Sequence, residues 1–180
     1  MPKLSDTATD RRQAIKLFSA FTGAALTFSS SALANHMLDR TSGRKWKLGM
    51  IADLHGGLAP DASQRLDTFL SAMQGAECDA LVQLGDFAYP NQQHQEFADK
   101  FNAAHRLPIH VIGNHEFDHG LDRQDCFQAW GITAAYYRQE LDGLRILVLD
   151  GNERGSPTHR GGSPAYVGDE QLRWLEQELD

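Results

Sequence analysis

The spacing of apolar and polar positions predicts three short strands, each breaking abruptly into glycine and polar residues: Trp46 to Ala52, Ala80 to Leu84 and Ile109 to Ile112. Between them the apolar period lengthens to that of helices. Leu66, Phe69, Leu70 and Met73 recur at i, i+3, i+4 and i+7, with Asp61 as N-cap, Gln64 three residues on, and Gly75 closing the helix. Phe97, Phe101 and Ala104 share a face of a second, more polar helix that Pro108 stops. This β-α-β-α-β order implies right-handed crossovers and a parallel sheet covered by helices. A third helix is expected from Leu121 to Trp130, with Gly131 after it. Tyr136 to Leu141 and Leu144 to Leu149 flank Asp142-Gly143, a strong hairpin signal, so an antiparallel pair extends or packs on the parallel core. Gly151 to Gly168 reads as a long irregular loop of the kind that is often functional, and Asp169 as the cap of a last helix carrying Leu172, Leu175 and Leu179.

A chain of 180 residues that is 41% hydrophobic has room for one domain with a real core, not two. Its start has a different character. Arg11, Arg12 and Lys16 precede an uncharged stretch from Leu17 to Leu33 that ends in Ala32-Leu33-Ala34, the layout of a signal peptide cleaved after Ala34. The paired arginines followed by Gln13-Ala14-Ile15-Lys16 resemble a bacterial twin-arginine export signal; a general secretory signal or an amphipathic first helix is the alternative. The expected organisation is therefore a signal over 1–34, a polar tether over 35–45 and a domain over 46–180, periplasmic or secreted, with no stable membrane insertion after cleavage.

The whole chain carries a net charge of −7, and removing the leader's net +2 (Lys3, Arg11, Arg12 and Lys16 against Asp6 and Asp10) leaves −9. Such an average field, with no run of Lys and Arg, argues against a nucleic-acid partner, whereas a small phosphorylated substrate is compatible because bound cations reverse the local sign. Cys78 and Cys126 have no Cys or His at ligand spacing. They read as two buried thiols, although export would permit a disulfide.

The candidate chemistry lies at the three strand ends. Asp53-Leu54-His55, Gly85-Asp86 and Gly113-Asn114-His115-Glu116 all fall at the carboxyl edge of the sheet, where open α/β folds bind ligands. Asp53, His55, Asp86 and Asn114 offer carboxylate, imidazole and carboxamide donors, a hard mixed set suited to Mn²⁺, Fe or Zn²⁺. Asp86, at the central strand end, is the natural bridge between two cations. His115 is placed to protonate a leaving alkoxide, and Glu116 to orient it. His36 falls in the tether, His94 and His105 on the polar helix and His110 within a strand. His119 is read as a solvated loop residue near the site.

In series, these three motifs resemble the calcineurin-like metallophosphoesterases, which include purple acid phosphatases, cyclic-nucleotide phosphodiesterases and 5′-nucleotidases. The resemblance runs from about Lys47 to the end. It implies a metallophosphoesterase-type α/β fold, a β-sandwich flanked by helices. It also implies two divalent or trivalent metal ions (Mn, Fe or Zn), one on Asp53, His55 and Asp86, the other on Asp86 and Asn114, with His115 catalytic. The implied reaction is hydrolysis of a phosphate mono- or diester by a metal-bound hydroxide; the alternative is an inactive fragment or a binding scaffold of the same fold. Glu116-Phe117-Asp118 is similar to the 5′-nucleotidases, while the glycine-rich loop and last helix are similar to the phosphodiesterases and acid phosphatases. The family completes its site with a Gly-His and a Gly-His-x-His segment. Neither is present, and His159 matches neither pattern, so the C-terminal portion of the sandwich is expected to be missing.

Overall fold

The computed structural model of the protein describes residues 45–180. The export signal expected over 1–34, and all of the expected tether except Lys45, lie outside the described residues. Among the described residues, no helix is long and apolar enough to cross a membrane.

Three strands, β1 (Leu48–Ile51), β2 (Ala80–Gln83) and β3 (Pro108–His110), form a parallel sheet in the order β1-β2-β3. Every residue of β2 is buried, as the middle strand of a sheet covered on both faces must be. Its alternate side chains serve two cores. Leu81 packs under helices α1 (Ala62–Ala76) and α2 (Gln95–Ala104) with Leu54, Leu66, Phe87, Phe97 and Phe101. Ala80 and Val82 face the other way, onto Ile109, Leu141 and Val148. The last two belong to an antiparallel hairpin, β4 (Tyr137–Leu141) and β5 (Leu144–Val148). Asp142 and Gly143 both take positive φ there, as a tight hairpin turn requires.

The hairpin packs on the parallel sheet and does not extend it. The reason is visible at β3, whose outer edge is closed by one side chain. The Tyr137 hydroxyl accepts from the His110 N–H at 3.0 Å and donates to the His110 carbonyl at 2.9 Å, so no strand is needed there. Helix α3 (Arg123–Trp130) lies beside α2, and helix α4 (Asp169–Leu179) docks through buried Gln171, whose amide exchanges two hydrogen bonds with the Asp150 backbone at 2.8 and 3.0 Å.

Several boundaries differ from those the sequence suggests. β2 and β3 end early because Gln83 takes over where their ladder would continue: its side chain accepts from the Gly85 N–H at 2.8 Å and donates to the Val111 carbonyl at 2.9 Å. Gly75 lies inside α1, which ends one residue later with Glu77 in the left-handed region. Asp61 makes no capping bond; it pairs with Arg65 instead. Helix α3 starts at Arg123, with Asp122 and Asp125 forming a reciprocal capping box. Asp169 is the first residue of α4 and Gly168 its cap. Both cysteines are thiols, Cys78 half-buried and Cys126 fully buried, in different core clusters.

Candidate metal centre

Beyond the ladder, the loops after β1 and β2 continue side by side on backbone hydrogen bonds. Asp53 N–H donates to Gly85 O (3.2 Å), His55 N–H to Asp86 O (2.9 Å), and Gly56 N–H to Phe87 O (2.8 Å). Asp53, His55 and Asp86 all adopt positive φ, at 52°, 56° and 50°. For residues with a Cβ such a conformation costs on the order of 1–3 kcal/mol each and persists only where surroundings impose it. Here the cross-loop bonds impose it, and the result turns three chemistry-bearing side chains toward one edge.

The third loop is brought in through two glycines. Gly85, at φ 99°, packs against Gly113, and a Cβ at Gly113 would collide with the backbone nitrogen and Oδ1 of Asp86. Glu116, only 1% exposed, clamps the junction: Oε1 accepts from Phe87 N–H at 2.6 Å, and Oε2 from Asp86 N–H at 3.0 Å and Gly113 N–H at 2.8 Å. Burial pushes its carboxyl up to about 7, against the pull of those three donors. A residue expected to orient His115 thus does something else, because the turn His115–Gly120 carries its carboxylate inward, under the strand ends.

The carboxylate on His115 is that of Asp118, with Nδ1 to Oδ2 at 2.8 Å. That hydrogen bond raises the imidazole's affinity for protons, opposed by partial burial. The sequence signal for this pair is its spacing, since residues three apart eclipse one another in a 3₁₀ turn. Asp118 also acts on Tyr89, whose hydroxyl is held protonated by burial first and by Asp118 second. Arg65 is a second residue that sequence reasoning does not single out. It reaches from α1 to the carbonyls of Asp53 and Leu54, at 3.3 and 2.6 Å, and so fixes the first loop.

The four expected ligands occupy two adjoining recesses. His55 and His115 line a narrow one with Asp86; Asp53 and Asn114 line a cleft of about 350 Å³, again with Asp86. Asp86 is the residue shared by both. One donor atom each from His55, Asp86 and His115 lie within 4.8 Å of one another. Asp53 Oδ1 stands 4.0 Å from His55 Nε2. Metal–ligand bonds of roughly 2.0–2.2 Å allow two donors on one ion to be up to about 4.4 Å apart, so Asp53 and His55 already span one cation and the His55–Asp86–His115 group does so with small side-chain adjustment. His119 stacks edge-on to Tyr89 at 5.1 Å, and His159 bonds within its own loop to Ser163 O; neither lines either recess.

A family model described as calcineurin-like phosphoesterase matches residues 47–179. The chain belongs to that family. Among solved structures, a dimetal phosphatase from Danio rerio is similar, with a TM-score of 0.54 and 16% identity over 74% of this chain. That likeness bears on the fold, which is the α/β fold of the calcineurin-like phosphoesterases. This family member spans 64% of the length of that phosphatase. No curated protein matches it.

Proposed function

We propose that this protein is a metal-dependent phosphoesterase that hydrolyses phosphate mono- or diesters of small molecules, with Asp53, His55, Asp86 and Asn114 holding two cations. The observation that supports it most is the position of Asp86, which lines both the His55–His115 recess and the Asp53–Asn114 cleft. When bound, such ions supply the positive charge that activates water and offsets charge on the phosphoryl oxygens.

The chain's own residues do the rest. Asp118 occupies Nδ1 of His115, which leaves Nε2 to face the substrate and deliver a proton to the departing oxygen. Asp86 Oδ1 accepts the His115 backbone N–H at 2.9 Å, tying the proton donor to the central ligand. Glu116 holds the backbone of Asp86, Phe87 and Gly113 still, so that the groups meet the substrate already arranged. Mn, Fe and Zn all suit this donor set. Export to the periplasm or medium, argued from Arg11, Arg12 and the uncharged stretch after them, belongs to the same proposal; cell fractionation showing only cytoplasmic protein would refute that part.

The test is hydrolysis of p-nitrophenyl phosphate and its bis ester by the Mn²⁺-loaded chain. His115→Ala is expected to lower turnover by about 10²–10⁴-fold while leaving metal content unchanged. A chain that retains no Mn, Fe or Zn, and whose behaviour Asp86→Asn does not alter, would instead be a scaffold of this fold.

A further inference from the structure

We propose that a polar pocket beside Asn114 binds the non-reacting half of the substrate, and that Arg154 in its wall selects esters carrying a second anionic group. The pocket has a volume of about 450 Å³ and shares Asn114, Asn152 and Pro164 with the cleft that contains Asp53 and Asp86. A phosphoryl group at Asp86 therefore has this pocket as an adjoining recess. Its size is that of a small-molecule site.

The charges in its wall differ in how far they are already committed. Arg123 donates to the buried Asp150 carboxylate at 2.7 and 2.6 Å and to Asn152 O at 3.0 Å, and lies over the Phe117 ring. Asp118 receives His115 Nδ1, and Asp122 accepts two backbone N–H groups at the start of α3. Arg154 is exposed and has no hydrogen-bond or ion-pair partner among the described residues. The cation without a partner in this wall is thus a guanidinium, beside the carboxylates of Asp118 and Asp122, in a chain whose net charge is −7. A guanidinium presents paired donors matched to carboxylate or phosphate oxygens.

The chain leading to Arg154 is tied down. The preceding residue is tied by Glu153 N–H to Tyr166 O at 3.1 Å, by the Gln171 amide to its carboxylate, and by the bridge pairing Asn152 with Tyr166. The backbone before Arg154 is therefore anchored to Tyr166 and to α4, which fixes where its side chain leaves the chain at the edge of the pocket.

The inference rests on the phosphoesterase reading for the reacting end of the ligand only, and its test is a binding measurement. Calorimetric titration of the Mn²⁺-loaded full chain compares 3-phosphoglycerate with glycerol 3-phosphate, which share a three-carbon phosphate skeleton and differ by the carboxylate. Wild type is expected to bind the first about tenfold more tightly, as a charge-assisted pair provides. Arg154→Ala should abolish that preference, Arg154→Lys should keep part of it, and Arg160→Ala, on the same loop but outside the pocket, should leave it intact. Equal binding of the two ligands by wild type, no binding of either, or a preference that survives Arg154→Ala would overturn the proposal. Turnover of p-nitrophenyl phosphate by the same wild-type sample separates the two readings: a preference with no turnover supports the pocket and removes the hydrolase.

Discussion

Two residues set local conditions that their immediate sequence does not announce. Gly113 is one, because the three loops meet where it has no side chain. Gly113→Ala must displace Asp86 or Glu116, and is expected to cost about 1–3 kcal/mol of stability and to weaken cation binding, read by urea unfolding and by Mn²⁺ titration. Unchanged affinity would mean that the loops part without moving Asp86. His110 is the other. It is 1% exposed, stacks on Trp130 at 5.3 Å, and contacts Asn102 Oδ1 at 2.8 Å and Gln83 Nε2 at 3.3 Å. Burial lowers its pKa to about 4, so in the fold it is neutral, with Nε2–H donating to Asn102 and Nδ1 accepting from Gln83. As pH falls below about 6.5 the unfolded chain takes up this proton and the folded chain does not until about pH 4, so stability declines through that window. Between about pH 7 and pH 5 the loss from this group is about 2 kcal/mol, and His110→Gln should flatten the slope by that amount in urea unfolding. Parallel slopes in the two proteins would assign the acid sensitivity elsewhere.

At the scale of elements, what the sequence reveals is periodicity, and what it conceals is how the strand-end loops grip one another. The stripes of α1 and α2, the Asp142-Gly143 turn and the three strand ends are legible because burial on one face leaves a regular apolar pattern. The positive φ values of Asp53, His55 and Asp86 are not, since they come from hydrogen bonds between loops about thirty residues apart. The role of Glu116 is hidden for the same reason: two of its three donors, Asp86 and Phe87, belong to a segment it meets only after folding. Arg65 links this grip to function. Asp53 is 71% exposed in its side chain, so packing does little to hold it, and its loop depends on the guanidinium bonds from α1. Arg65→Ala is expected to weaken Mn²⁺ binding by about tenfold while changing stability by less than about 1 kcal/mol. Calorimetric titration beside thermal unfolding checks both numbers, and an equal loss in each would make Arg65 a fold residue only.

For the molecule as a whole, the proposed centre joins three loops that share no continuous secondary structure, so an ion held there binds the folded chain and has no equivalent site in the unfolded one. Binding must then add stability: at a free concentration of about one hundred times Kd, the gain is about 2.7 kcal/mol, a rise of roughly 10 °C in Tm. Asp86→Asn is the discriminating variant. Asparagine keeps an Oδ1 that can accept the His115 N–H, and it removes a negative charge that helps to push the buried Glu116 carboxyl up. The ion-free variant should therefore be as stable as the ion-free wild type, while Mn²⁺ or Zn²⁺ raises Tm only in the latter. If instead both proteins gain equally, the ion is bound at surface carboxylates away from Asp86. If neither gains, the strand-end loops do not form a cation site, and the left-handed conformations of Asp53, His55 and Asp86 serve only to lock the loops together.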